Sequence, residues 1–287
     1  MCKTEIFTSM LRLKVSRGLL RGDGNFTVNA VDMFVVGATN PEPIDWIEHS
    51  IPQDPPVNIK NDTTGYDVPP IADPFKDLVP PTIPATPIFS QTIDNQMIDA
   101  NGGYLKLQPG YYPGGISITG GTLELESGTY ILGGGYSNGV EAGLVVTGNA
   151  NLKAEGVQLY ITKPTTGGLY GTIDIGGNGI IEISSIGDAM SPPQIDGAIG
   201  ICIWQDIDNH NEARIIGTSG LEVTGTIYIK NALCELGGTC DKAGNQIIAG
   251  CFWVHGSAVL TVPYDGRNQI IRSQSYLVWP LKYTPSL

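Results

Sequence analysis

Leu105-Lys-Leu-Gln-Pro-Gly-Tyr-Tyr112 and Leu123-Glu-Leu-Glu-Ser-Gly-Thr-Tyr130 share the pattern L-x-L-x-x-G-x-Y. Leu105 falls over Leu123, Leu107 over Leu125, Gly110 over Gly128 and Tyr112 over Tyr130, at an offset of 18 residues. Two-residue alternation closed by a glycine turn makes a unit with one apolar face, and such a unit buries that face only by stacking on the next. The expected fold is therefore all-β, a right-handed parallel β-helix. A β-sandwich is the alternative, because Asn138-Gly139, Asn178-Gly179 and Asp265-Gly266 are dipeptides that hairpin turns favour.

The alternation continues downstream. Ile173 and Ile175 flank Asp174, Ile181 and Ile183 flank Glu182, and Leu221 and Val223 flank Glu222, so branched aliphatics point in and acids point out. With 38 Gly, 20 Pro and 15% charged residues in 287, the composition favours short strands joined by tight turns. Residues 88–266 are expected to form the β-helix, and residues 267–287 to cap its open end. Residues 1–40 supply a first strand or rung from Asn25 onward. Residues 41–87 hold 12 of the 20 prolines, which excludes sheet interior and predicts an arm or linker. Trp46, Ile47, Ile71, Phe75 and Leu78 are the side chains that could pin that arm to the sheet.

Sixteen Lys and Arg against 28 Asp and Glu give a net charge of −12, which disfavours nucleic acid and anionic membrane as partners. No apolar run approaches the ~18 residues of a membrane span. The apolar stretches of Met1–Gly22 are broken by Lys3, Arg12, Lys14, Arg17 and Arg21, so they lack the apolar middle of a secretion signal; if the protein is exported, its signal is expected outside this sequence. Of the five cysteines, Cys202 and Cys251 read as small core residues, while Cys234 and Cys240 are spaced to close a loop over Gly237-Gly238 in an oxidising compartment.

Chemistry-bearing residues concentrate in Trp204-Gln-Asp-Ile-Asp-Asn-His-Asn-Glu-Ala-Arg214. Asp206, Asp208 and Arg214 are the catalytic candidates if the chain cleaves polysaccharide, a reaction that needs carboxylates or a calcium cluster with a basic residue on one face. Asp206, Asp208 and Glu212 are the candidate calcium ligands, although the run lacks the glycine and spacing of an EF-hand loop. Calcium is the only cofactor these residues suggest. Tyr112, Tyr130 and Tyr136 are candidates for stacking on sugar rings, with mutual stacking as the competing role. His49 and His255 show no partner in the sequence.

Three further strings carry a resemblance. Asp73-Pro-Phe-Lys-Asp-Leu-Val-Pro80, Leu107-Gln-Pro-Gly-Tyr-Tyr-Pro-Gly-Gly-Ile116 and Leu125-Glu-Ser-Gly-Thr-Tyr-Ile-Leu-Gly-Gly134 resemble the C-terminal region of bacterial TadG-like proteins associated with Flp (tight-adherence) pilus assembly. The likeness runs from about Asn25 to Pro263. It implies a cell-envelope or extracellular protein with a structural or adhesive role and no enzymatic residues to carry over. Its partners would be envelope or pilus-assembly proteins or surface glycans.

Overall fold

A computed structural model of the chain describes residues 75, 77–134, 142–187, 200–217, 220–238 and 246–256, together with the backbone of further strands at 12–15, 20–23, 27–30, 32–35, 57–59, 65–66, 242–243 and 259–261. The strands are laid down in three rows that the chain visits in turn. The first row runs Tyr104–Leu107, Thr122–Leu125, Asn151–Ala154, Ile181–Ser184, Leu221–Thr224, Lys242–Ala243 and Val259–Thr261. The middle row begins Gly110–Tyr112, Gly128–Leu132, Val157–Ile161 and Ile201–Gln205, and the third Ile93–Asp94, Ile116–Ile118, Gly143–Val146, Thr172–Gly177 and Ala213–Gly217. Thr226–Gly238 then spans the middle and third rows in one 13-residue strand, and Gln246–Gly256 repeats this beside it.

This arrangement corrects the expected fold. The chain is neither a right-handed parallel β-helix nor a β-sandwich: it is a curled half-barrel of two parallel sheets, with fifteen and nine strands among the described residues. The sandwich fails because the sheets are built from parallel neighbours, such as Leu123 beside Leu105 and Leu152, and not from hairpins. The β-helix fails because the two long strands each run on from the middle row into the third, across a register shift between Ile229 and Leu233, which joins the two rows in one curved sheet.

The inward faces form one core that includes Leu105, Leu123, Leu152, Ile181 and Leu221 from the nine-stranded sheet and Ile116, Leu144, Ile173, Ala213 and Cys234 from the other. Burying a Leu or Ile side chain contributes roughly 1.5–3 kcal/mol, so this aliphatic column is the main source of stability. One end is closed by a short helix, α1 (Asn95–Ala100), which buries Ile98 and is capped by Asp94 accepting from the Met97 N–H at 3.3 Å. At the other end, strands from the start of the chain extend the sheets: Leu13 pairs with Ile247, Arg21 with Trp253 and Val28 with Leu260. The expected cap at 267–287 lies outside the described residues.

The repeated motif has a local explanation. The Tyr112 hydroxyl donates to the Gln108 carbonyl at 2.6 Å, and the Tyr130 hydroxyl to the Glu126 and Leu107 carbonyls at 2.9 Å each. Each tyrosine thus reaches back four residues and ties the corner that its own glycine turns, with Gly110 and Gly128 at φ 151° and 143°. The sheet register departs from the sequence repeat at this point. Leu105 does pair with Leu123, but Tyr130 pairs with Gly110 and Leu132 with Tyr112, a slip of two residues that leaves every side chain on its original face.

The proline-rich arm is packed where it is described. Phe75, Leu78 and Ile83 rest on the outer face of the middle row, over a column in which Tyr111, Ile131, Tyr160, Trp204, Tyr228 and Ile248 are successive register neighbours. Trp46, Ile47 and Ile71 lie outside the described residues.

Candidate functional site

Two polar surfaces result from this register. On the nine-stranded sheet, Lys106, Glu124, Lys153, Glu182 and Glu222 occupy successive positions in one outward column. Lys106 Nζ lies 3.0 Å from Glu124 Oε1, and the Tyr104 hydroxyl donates to Glu124 Oε2 at 2.7 Å. The Tyr104 hydrogen bond, with Lys106 beside it, holds the Glu124 carboxyl below its ordinary range. An open groove of about 530 Å³ follows this column past Lys153, Glu182 and Glu222.

The third row carries the denser cluster. Asp174, Arg214, Glu235 and Trp253 are consecutive in one outward column, and Gly237 and His255 are neighbours in the column beside it. Arg214 bridges its two acidic neighbours, with Nε 3.2 Å from Glu235 Oε2 and Nη1 3.6 Å from Asp174 Oδ1. Glu235 also meets His255 Nε2 at 2.7 Å, and the His255 ring lies 4.7 Å from that of Trp253. Only 5% of Glu235 is exposed, so its charge depends on these partners.

Glu212 completes the cluster. Burial pushes Glu235 up, but hydrogen bonds from Glu212 and His255 and the charge of Arg214 outweigh it and leave Glu235 below the ordinary carboxylate range. The hydrogen bond to Glu235 holds Glu212 above that range, with burial and the Glu235 charge adding to the effect. The pair thus holds its two proton affinities apart, Glu212 raised and Glu235 lowered.

The sequence-derived candidates divide around this cluster. Arg214 and Glu212 belong to it, but Asp206 and Asp208 do not. Asp206 Oδ2 accepts from the Tyr160 hydroxyl at 2.8 Å and from Thr162 Oγ1 at 2.6 Å, while Oδ1 accepts from the Asp208 N–H at 3.1 Å. The carboxylate is thus a corner tie, and Asp208 is exposed beside it. Among the described residues no group of three or more His, Cys, Asp or Glu side chains is placed to hold a metal ion, so Asp206, Asp208 and Glu212 do not assemble as calcium ligands.

Tyr112 and Tyr130 are fully buried and stack on each other at 6.0 Å, which leaves no face for a sugar ring. Burial pushes the Tyr112 hydroxyl up to about 12. Cys234 points into the core and burial raises its thiol to about 12. Tyr136, Cys240 and His49 lie outside the described residues.

Glu235, His255 and Asp174 were missed as a group because they are far apart in sequence. One signal was available for Glu235: it interrupts Ala-Leu-Cys-Glu-Leu at the outward phase of a strong apolar alternation, where a buried acid requires a partner. His255, read as partnerless, has one in Glu235.

No helix of the described residues is long and apolar enough to cross a membrane. Comparisons with protein-family models, curated proteins and solved structures give no match to this chain.

Proposed function

We propose that the chain is a non-catalytic module of the cell envelope or cell surface with a structural or adhesive role, acting beside pilus-assembly proteins or surface glycans. One observation carries this reading. Both oxygens of Asp206, the central acid of the richest polar run, are taken up by Tyr160, Thr162 and the Asp208 backbone. A carboxylate so occupied holds a corner together, with three of its acceptor positions already filled from within the chain. The resemblance of the motif strings to TadG-like proteins supplies the envelope and pilus context. The test is a glycan array with and without calcium, using the full chain and an Asp208→Asn/Glu212→Gln variant. Calcium-independent binding retained in the variant is the expected result, and binding lost with the fold intact would contradict the reading.

A second reading, a polysaccharide-active enzyme, is favoured by the Glu212–Glu235 pair. Two carboxyls with proton affinities pushed apart, beside an arginine and a tryptophan, are groups of the kind that acid-base chemistry uses. It ranks second because Glu235 already binds Arg214 and His255 within the chain.

A further inference from the structure

Asn178-Gly179 is a dipeptide that hairpins favour, but here it turns the corner between two strands of different sheets, Thr172–Gly177 and Ile181–Ser184. The Asn178 N–H donates to the Gly148 carbonyl at 2.7 Å, and the Ile180 N–H to Asn151 Oδ1 at 2.8 Å. Between these two ties, the Gly179 N–H and the exposed Asn178 carboxamide have no hydrogen-bond partner among the described residues. Glycine is required at 179, because a Cβ there would overlap the Ala150 carbonyl. Asn101-Gly102, after helix α1, is also exposed but is engaged at both groups. Asn101 Nδ2 donates to the Met97 carbonyl at 2.6 Å, and the Gly102 N–H to the Asp99 carbonyl at 3.1 Å.

We propose that Asn178 is a site of spontaneous deamidation that loosens this corner of the folded chain, and that Asn101 is protected from the same reaction. The Gly179 nitrogen attacks Asn178 Cγ and forms the new N–Cγ bond of a five-membered succinimide. The Cγ–Nδ2 bond breaks, and Nδ2 leaves as ammonia with the proton that the Gly179 nitrogen gives up. Water then opens the ring at either carbonyl, to aspartate or to isoaspartate, and no other reactant is needed. At Asn178 both reacting groups are free. At Asn101 two hydrogen bonds must open first, which slows the reaction there by roughly tenfold or more. Isoaspartate carries the main chain through the former side-chain methylene, so the corner gains one backbone atom between two N–H groups that are each held to the neighbouring strand's end. One of those ties must then lengthen or break. The inference stands on the geometry of the corner and does not depend on the envelope reading.

The test ages the full chain at mildly alkaline pH, folded and in guanidinium chloride, and follows both sites by peptide mass spectrometry with fragmentation that separates isoaspartate from aspartate. In the folded chain Asn178 should convert roughly tenfold or more faster than Asn101, and in denaturant, where no hydrogen bond protects either, the two rates should converge. The aged folded protein should melt at a lower temperature than the fresh one. Asn178→Ala, which removes a side chain without partners, should melt like the fresh protein and show no such fall on ageing. Asn178 intact in the folded chain while it converts in denaturant, or Asn101 converting as fast as Asn178 in the folded chain, would overturn the proposal. Should Asn178→Ala perturb the fold, the ratio of the two rates in the unsubstituted chain decides alone.

Discussion

A Cβ placed on Gly237 would lie 2.6 Å from Cε1 and 2.7 Å from Nε2 of His255. The bare backbone at Gly237 is what lets the imidazole lie over the sheet and reach Glu235. Gly237→Ala should displace the ring, break the 2.7 Å contact to Glu235 and cost about 1–3 kcal/mol, the range for leaving a buried carboxylate short of a partner. In a His255→Ala background the same substitution should cost much less. Chemical denaturation of the four proteins in a double-mutant cycle measures this, and equal costs in both backgrounds would show that the two residues are not coupled.

The Glu212–Glu235 pair predicts opposite pH dependences for its members. Glu235 is held below its ordinary value of 4.5, so its contribution is present at neutral pH and lost as pH falls through the folded-state value. Glu212 is held above 4.5, so its contribution is present in acid and lost as pH rises through its folded-state value. Glu212→Gln keeps a donor toward Glu235 without the second negative charge. It should raise Tm at neutral pH and leave Tm unchanged below pH 4.5, whereas Glu235→Gln should lower Tm at neutral pH.

At the corner after Gln205 the account separates two neighbouring acids. Asp206→Ala leaves the Tyr160 and Thr162 hydroxyls and the Asp208 N–H without their acceptor, and should cost about 2–3 kcal/mol. Asp208→Ala at its exposed position should stay within about 0.5 kcal/mol. Thermal melts with and without calcium measure both, and a calcium-dependent rise in Tm that both substitutions abolish would restore the metal site.

Tyr130→Phe removes a hydroxyl that serves two carbonyls, and Tyr112→Phe one that serves a single carbonyl. Losses of about 1–2 and about 1 kcal/mol are expected, and urea denaturation should rank them in that order.

The sequence exposed its repeat where strand length and phase were constant, at Leu105 over Leu123 and Leu107 over Leu125. The next strand slips by two residues, which alternation cannot register because a shift of two preserves the face. Later repeats lengthen, to 29 residues between Thr122 and Asn151, as loops grow at the corners. The curvature was hidden as well, since nothing in Thr226–Gly238 marks it as one strand shared by two rows. Asp174, Glu235 and His255 meet only through that register, while Asp206, the acid that looked most chemical, is absorbed by hydroxyls from a strand about 45 residues earlier.

The most direct test of the central claim is a turnover assay on the purified full chain, with a panel of acidic and neutral polysaccharides, scored for new reducing ends and unsaturated products with and without calcium. The account predicts binding or silence, and no product. Product formation that disappears in Glu235→Gln while circular dichroism shows the sheets intact would contradict it and make the Glu212–Glu235 pair a catalytic one.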